Sequence, residues 1–371
     1  MLIGLLIVLA CLAAGGFLYL QQAKFGRLPQ GGELAELARS PNYQDGEFRN
    51  LEPIPEIVRE NGFFGAWMKF LFSSDERRVP STPLPAVKTD LKSLDLDSDT
   101  VIWLGHSSYY MHLNGKRILV DPVFSDHAAP ISLVNRAFPG SSLYTAEDMP
   151  DIDYLLITHD HWDHLDYPSV TALRSRVGKV FCPLGVDVTL EYWGYAPEQI
   201  QAGDWYTAWE AGESLTVHIL PARHFSGRLL TRNKTLWAAF ALETPERRIF
   251  LSGDSGYGAH FEDIGRRFDG FDLVILDNGQ YNEDWRYVHM MPEDAAQAAE
   301  DLRAQALLPA HVGRFSIAYH SWDDPFIRLA NASLGRSYRL LTPIIGEPVN
   351  LAGQPREFSR WWEEVEQPSS N

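Results

Sequence analysis

Cysteine is almost absent from the sequence, since 371 residues contain only Cys11 and Cys182. A disulfide framework, or a cage of thiolates around a metal, needs more than two cysteines, so any metal site must use histidine and carboxylate side chains. Basic residues are also few: 32 Lys and Arg stand against 49 Asp and Glu, with a formal net charge of -17. Because nucleic-acid binders neutralise phosphates with Lys and Arg, this charge excludes a protein that coats nucleic acid.

Charge of either sign is missing from residues 2–20, which are mostly Leu, Ile, Val, Ala and Gly. At about 1.5 Å per residue, a helix of this length nearly crosses a hydrocarbon core of roughly 30 Å. No Lys or Arg precedes the run, and more apolar residues follow Gly15 and Gly16, which favours an uncleaved anchor over a cleaved signal peptide. We therefore expect a single-pass transmembrane helix over residues 1–21 in the cell membrane. Lys24 and Arg27, just after it, favour a cytoplasmic main domain.

The rest of the chain divides into three predicted parts. An N-terminal extension over residues 22–98 is expected to pack on a main domain over residues 99–350, and a tail covers residues 351–371. Aromatic residues cluster at 63–72, either as a helix or turn on the main domain or as a patch that touches lipid. In the tail, Trp361 and Trp362 predict a terminal helix that packs two indoles and exposes an acidic face.

Short strand patterns separated by turns begin near residue 100. Asn114-Gly115 joins two apolar runs, 109–113 and 117–120, and this arrangement is a strong hairpin signal. The run 152–158 has the pattern of a buried strand and ends directly at His159. The polar residues that follow are therefore expected at the end of a strand.

A dense group of metal-ligand residue types follows this strand, in the order His159-Asp160-His161-Trp162-Asp163-His164. Two histidines separated by one residue in an extended turn can direct both imidazoles at one cation. Asp163 and His164 can turn toward a second cation nearby. One short loop can thus begin two metal sites, and a metal centre is favoured over solvated loop histidines.

This motif resembles the hallmark of the metallo-β-lactamase fold superfamily, in which three further ligands follow. Similar positions in this chain are His224, Asp254 and His311, each of which comes after a strand-like apolar run. The resemblance covers about residues 99–350. It implies an α+β fold, a four-layer αβ/βα sandwich in which the ligands gather at one edge.

The resemblance also implies a binuclear centre. One metal would be bound by His159, His161 and His224 and the other by Asp163, His164 and His311, with Asp254 as the bridging ligand. Nitrogen and oxygen ligands suit two divalent ions, with zinc expected and iron or manganese as alternatives. The reaction implied is hydrolysis by a hydroxide that bridges the two metals.

A narrower resemblance links the chain to the N-acyl-phosphatidylethanolamine-hydrolysing phospholipase D group through four stretches, 103–108, 119–125, 158–164 and 289–293. It implies catalytic roles for Asp163, Asp254, His289 and His106. The two histidines would touch the substrate or support the metal ligands, although each could instead bond a neighbouring backbone group.

Two further side chains have open interpretations. Asp121 either accepts a hydrogen bond from a ligand imidazole or ends a strand and caps the turn before Pro122. His320, nine residues after His311, either reaches the rim of the active-site cleft or has no part in it.

Three functions from different classes are consistent with these features. The leading one is a membrane-anchored, binuclear phosphodiesterase of phospholipase D type that acts on a membrane lipid or a small phosphodiester. A lactonase or other carboxyl-ester hydrolase of the same fold is the alternative, because a metal hydroxide attacks carbon and phosphorus alike. A non-enzymatic metal-binding scaffold of the cell envelope would predict eroded ligands, whereas all seven expected positions are filled.

Overall fold

The computed structural model describes residues 2–55, 77–228, 231–353 and 356–365. The aromatic cluster at 63–72 lies outside the described residues, so both interpretations of it stay open.

The apolar run at the start of the chain is helical, as its composition predicts. Helix α1 comprises Leu2–Leu20, and it has no acidic residue in its first turn and no basic residue in its last turn. The expected transmembrane span is nevertheless not supported, because none of the helices in the described part of the chain meets the length and hydropathy that crossing a bilayer requires.

Sixteen strands are present among the described residues: β1 Tyr43–Gln44, β2 Glu47–Phe48, β3 Thr100–Gly105, β4 Ser108–Leu113, β5 Lys116–Val120, β6 Ile152–Leu156, β7 Val177–Pro183, β8 Ile200–Gly203, β9 Ala208–Glu210, β10 Thr216–Leu220, β11 Ala239–Glu243, β12 Arg248–Leu251, β13 Leu273–Asp277, β14 Ala306–Ala310, β15 Arg339–Leu340 and β16 Pro348–Asn350. Apart from the β1-β2 pair, they form two seven-stranded sheets. The first sheet has the order β16-β3-β4-β5-β6-β7-β8 and the second β15-β14-β13-β12-β11-β10-β9.

The predicted hairpin is confirmed. Strands β4 and β5 pair antiparallel around Asn114 and Gly115, whose φ angles of 49° and 72° are both positive. A two-residue turn of this kind needs positive φ at both positions, which Asn and Gly tolerate better than other residues. The buried strand predicted before His159 is present as β6, and it pairs parallel with β5 and β7.

Among the residues that the structure describes, six further helices follow α1: α2 Gly32–Leu37, α3 Tyr167–Leu173, α4 Val186–Tyr192, α5 His260–Phe268, α6 Pro292–Asp301 and α7 Asp324–Ala332. Helices α3 and α4 share an apolar cluster with one face of the first sheet. Helices α5, α6 and α7 belong to the larger cluster that contains the second sheet and the opposite face of the first. The layers are therefore helices, sheet, sheet and helices, as expected for the four-layer sandwich.

Alternation along β3 shows how the sequence forms these layers. Val101 and Trp103 lie in the core between the sheets, whereas Ile102 and Leu104 face α3 and α4. Successive side chains of a strand point to opposite faces, so a strand covered on both faces is apolar throughout.

The end of the chain differs from the prediction. Trp361 and Trp362 are both buried, and Trp362 stacks on Phe326 with ring centroids 5.3 Å apart. In the described residues, however, they belong to a single 3-10 turn, Trp361–Glu363, instead of a terminal helix. The indoles are held by aromatic packing on α7, which does not require a longer helix.

Candidate metal centre

The loop at residues 159–164 folds back on itself at the end of β6. The backbone N–H groups of His164 and Leu165 both donate to the carbonyl of His161, at 3.2 and 2.8 Å. Asp166 then begins α3, because its side chain accepts a hydrogen bond from the Ser169 backbone. This single turn brings the three histidines and Asp163 of the loop close together.

The first cluster contains the donors of His159, His161, His224 and Asp254, which lie within 4.8 Å of one another. His159 Nε2 is 2.9 Å from His161 Nδ1, which in turn is 3.2 Å from His224 Nε2. Asp254 Oδ2 lies 3.7 Å from His159 Nε2 and 3.6 Å from His224 Nε2. Three imidazoles and one carboxylate thus converge on one point.

The second cluster contains His106, Asp163, His164 and His311. Asp163 Oδ2 is 2.9 Å from His106 Nε2 and 3.0 Å from His311 Nε2. His164 Nε2 lies 3.7 Å from the same oxygen. His106 is therefore a direct neighbour of the predicted ligands.

Asp254 lies between the two clusters. Its Oδ1 is 3.1 Å from His164 Nε2, and its Oδ2 is 3.4 Å from His311 Nε2, in addition to the contacts in the first cluster. Asp254 Oδ1 and His164 Nε2 are both buried without a hydrogen bond. Buried polar atoms that make no hydrogen bond are rare in native proteins and indicate a bound partner such as an ion. The donor set therefore fits divalent cations.

The residue before Asp254 must be glycine. A Cβ on Gly253, whose φ is 56°, would lie 2.8 Å from the Ala238 carbonyl oxygen and 2.9 Å from Thr158 Cβ. Glycine has no Cβ and tolerates positive φ, so it lets the chain turn sharply after β12. This turn places Asp254 beside both clusters.

Two of the imidazoles are oriented by hydrogen bonds from the ring nitrogen that faces away from the centre. His164 Nδ1 lies 2.8 Å from Asp121 Oδ2, and His224 Nδ1 lies 2.9 Å from the Val288 carbonyl oxygen. Donation from Nδ1 fixes the tautomer and leaves the Nε2 lone pair for a metal. Thr158 holds Asp121 in place, with its backbone N–H on Oδ1 and its hydroxyl on Oδ2. Of the two interpretations of Asp121, the geometry favours the one in which its carboxylate accepts a hydrogen bond from a ligand imidazole.

Asp277 is a further carboxylate at the centre, which the sequence analysis missed. It is fully buried, and it accepts hydrogen bonds from His289 Nδ1 at 2.9 Å and from the Ser255 backbone N–H at 3.1 Å. Its other oxygen lies 3.3 Å from His311 Nδ1. The signal was present, because Asp277 follows an apolar run, 273–276, just as Asp254 does.

Three residues of the centre have a strained backbone. His106, Asp121 and His311 have φ angles of 55°, 40° and 63°. Positive φ is uncommon outside glycine, and such residues cluster at functional sites. The backbones of His106 and His311 also connect the two sheets, because His311 N–H donates to the His106 carbonyl at 3.3 Å and His106 N–H to the Val312 carbonyl at 3.1 Å.

The electrostatics of the centre favour a cation. Burial opposes charge on His164 and His311, but Asp254 and the other nearby carboxylates together outweigh it, so the pKa of His164 lies well above its usual value and that of His311 is about 10. Burial also opposes ionisation of Asp163 and Asp254, yet the adjacent histidines hold both carboxyl pKa values well below their usual range. Burial lowers the pKa of His159, which keeps this ring neutral.

His320 does not reach the centre. Its Nε2 accepts a hydrogen bond from the Gln280 backbone at 2.8 Å, its Nδ1 lies 2.8 Å from the Ser321 carbonyl, and its ring stacks on Tyr281. His289 does lie beside the centre, with its ring centroid 4.9 Å from those of His224 and His311. The structure thus brings together all seven predicted ligands with His106, His289 and Asp121.

Comparison with known proteins agrees with this geometry. The family model described as a beta-lactamase superfamily domain matches residues 116–312. An uncharacterized protein of Mycobacterium tuberculosis is 37% identical over 330 residues, which cover 87% of this chain and 88% of that protein. N-acyl-phosphatidylethanolamine-hydrolyzing phospholipase D 1 of Caenorhabditis elegans is 30% identical over 264 residues, or 65% and 71% of the two chains. A solved isothiocyanate hydrolase from Delia radicum gut bacteria has the same fold, with a TM-score of 0.54 at 16% identity over 67% of this chain and 98% of that one.

Proposed function

The chain belongs to the beta-lactamase superfamily and is a metal-dependent hydrolase of that fold, and we propose that it is a binuclear phosphodiesterase of phospholipase D type. The observation that carries the proposal is the position of Asp254, whose two oxygens lie within 3.7 Å of ring nitrogens from both clusters. A carboxylate shared in this way is what two neighbouring cations require.

We assign the ligands by cluster. His159, His161 and His224 would hold one ion, Asp163, His164 and His311 the other, and Asp254 would contact both. The ligands suit zinc, and iron or manganese can use the same set. When bound, two such ions supply an activated water near neutral pH and neutralise charge on the attacked group.

His106 and His289 have separate roles in this proposal. His106 is completely buried and bonds Asp163 Oδ2, so it positions that carboxylate and does not touch the substrate. His289 is partly exposed, and its Nδ1 bonds Asp277. Its Nε2 is therefore the nitrogen available to bind a phosphoryl oxygen or to give a proton to the leaving oxygen.

A cleft beside the centre supports a substrate with an apolar arm. It has a volume of about 450 Å³, and His289 and Phe225 form part of its wall. The Phe225 ring lies 4.6 Å from the ring of His161. Trp285 and Ile317 also line the cleft. Apolar walls next to a charged centre suit an amphiphilic ester, and the activity for which the C. elegans relative is named favours a phosphodiester over a lactone.

Metal content and a substrate panel test this function together. Enzyme purified without chelator is expected to contain two transition-metal ions per chain and to hydrolyse bis-p-nitrophenyl phosphate, with the activity lost in chelator and restored by zinc, manganese or iron. A lactone and a β-lactam serve as comparison substrates. Absence of metal would contradict the proposed mechanism, and strong lactone hydrolysis without phosphodiester hydrolysis would establish the alternative function.

We further propose that α1 attaches the protein to a membrane. In residues 4–20 of this helix every side chain is exposed except Tyr19, which is partly covered. Leu5, Leu6, Ile7, Val8 and Leu9 are each more than half exposed, and five consecutive positions cover the whole circumference of a helix. A helix that is apolar all round is stable in an apolar surrounding, which lipid supplies.

Removal of residues 1–21 tests this attachment. The full chain is expected in the membrane fraction, and the truncated chain is expected to be soluble with its metals and its phosphodiesterase activity intact, because every proposed ligand lies beyond residue 158. An insoluble truncated chain without metal would mean that α1 is part of the folded domain. A reporter at the C-terminus that works only in the periplasm would contradict the cytoplasmic placement predicted from Lys24 and Arg27.

A further inference from the structure

A loop between β5 and β6 exposes three large apolar side chains at its tip. Ile131 is 51% exposed, Leu133 80% and Val134 42%. We call residues 126–137 the tip loop. Single exposed apolar residues are common on protein surfaces, but three within four positions form a patch that a soluble surface does not need.

The tip loop has an ordered stem. The Ala128 N–H donates to the Asn135 carbonyl at 2.9 Å, and the Ala137 N–H donates to the Asp126 carbonyl at 2.8 Å. At the tip, the Val134 N–H donates to the Ile131 carbonyl at 3.1 Å. The stem therefore holds the apolar side chains in a fixed position at the end of the loop.

The tip loop is joined to the end of α1. The hydroxyl of Tyr19 and the ammonium group of Lys24 both donate to the Pro130 carbonyl oxygen, at 2.6 and 2.7 Å. Phe17 and Leu18, in the last turns of α1, are 64% and 67% exposed. The exposed end of α1 and the apolar tip are therefore parts of one surface.

Both parts of this surface are linked to the metal centre through packed side chains. Ala128 in the stem packs with Val123 and Phe315, and the Phe315 ring lies 5.1 Å from the ring of His106. Phe25, just after α1, lies 5.3 Å from the ring of Trp162 in the metal-binding loop. The surface is thus fixed relative to the centre by packed side chains on two sides.

We propose that the tip loop and the end of α1 form one lipid-docking surface, with Ile131, Leu133 and Val134 inserted among the acyl chains at the membrane interface. The inference rests on the proposed attachment by α1. If that helix lies in lipid, Tyr19 and Lys24 lie at the interface, where Tyr and Lys side chains are enriched and extend toward the head groups. Their shared partner, Pro130, then holds the tip at the same depth.

This docking gives the metal centre a defined source of substrate. A lipid whose phosphodiester lies at the head-group level would meet the centre without leaving the membrane. A tethered enzyme meets such a substrate at a high effective concentration. The proposed partner is therefore the surface of a lipid bilayer. The test below distinguishes it from another protein or a second copy of this chain.

Fluorescence from the tip tests the docking on the full chain. A nitrobenzoxadiazole probe is attached through Leu133→Cys in a Cys11→Ala background, because Cys11 is exposed while Cys182 is buried. With vesicles of phosphatidylcholine and phosphatidylethanolamine, the emission is expected to shift to the blue and to be quenched by nitroxide-labelled lipid. The matched control is Leu334→Cys, since Leu334 is 71% exposed and lies two residues after the end of α7. Ile131→Cys replaces Leu133→Cys if that variant does not fold.

The outcomes separate this inference from the proposed function. A tip probe that behaves like the Leu334 probe, or that reports on the protein only when a second protein is present, overturns the docking surface. A probe that enters lipid while no phosphodiester is cleaved leaves the docking intact and contradicts the function. Where the probe enters lipid and the phosphodiester is cleaved, a double variant tests the link between them. Ile131→Ser combined with Leu133→Ser is expected to lower the ratio of phospholipid turnover in vesicles to turnover of a soluble diester by at least about tenfold. This is the factor that corresponds to burying one aliphatic side chain.

Discussion

Replacing Asp254 with Ala is expected to abolish phosphodiester hydrolysis and to remove bound metal. Its two oxygens lie beside ring nitrogens of both clusters, at 3.1 to 3.7 Å, so one substitution takes a ligand from each proposed ion. It also removes a negative charge that opposes the charge of two cations. Loss of a residue that only supports a ligand costs about 10- to 100-fold, so we expect a loss larger than 100-fold. Steady-state kinetics and elemental analysis of the purified variant measure the two effects.

Two comparisons make the Asp254 result specific. Asp254→Asn keeps the size of the side chain but not its charge, and it should also lose metal. Asp263→Ala removes an exposed carboxylate in the first turn of α5 and should keep wild-type metal content and turnover. If Asp254→Ala keeps more than about a tenth of wild-type activity, the carboxylate is not shared by two metals.

Replacing Arg228 with Ala is expected to lower the free energy of unfolding by about 3 to 5 kcal/mol, because it leaves a large cavity and buried carbonyl groups without a hydrogen-bond donor. Arg228 is 7% exposed, and its guanidinium donates to the carbonyls of Asp160, Leu165 and Lys24 at 2.6 to 3.0 Å. It also lies 4.0 Å above the Trp162 ring. Burial lowers the pKa of Arg228 to about 10, so the side chain stays charged at neutral pH.

The effect of Arg228→Ala should reach the metal centre as well. Asp160 lies within the metal-binding loop and Leu165 directly follows it, so loss of the hydrogen bonds to their carbonyls lets the loop move away from the first cluster. Urea denaturation followed by tryptophan fluorescence measures the stability, and zinc titration measures the affinity. Arg228→Lys keeps the charge but not the planar guanidinium, so its stability and its zinc affinity should lie between those of the wild type and those of Arg228→Ala. Arg136→Ala, at an exposed arginine, should change stability by less than about 0.5 kcal/mol. A similarly small change for Arg228→Ala would contradict this role.

The local features of this protein were determined by sequence alone. The Asn114-Gly115 hairpin and the strand before His159 depend on the φ preferences of two residues and on an unbroken apolar run. The ligands of the 159–164 loop are neighbours in the chain, so almost any fold keeps them together. Resemblance to a known family then supplied His224, Asp254 and His311, because each follows a strand-like run.

Tertiary structure decided which distant groups support those ligands. Asp277 meets His289 and His311 because β12, β13 and β14 lie side by side and end at the same edge of their sheet. His106 bonds Asp163, 57 residues away, because its strand turns at the point where the two sheets are joined. Arg228 and the tip loop likewise depend on contacts between segments far apart in the chain. Such contacts are set by the order and packing of the strands, which spacing along the sequence does not determine.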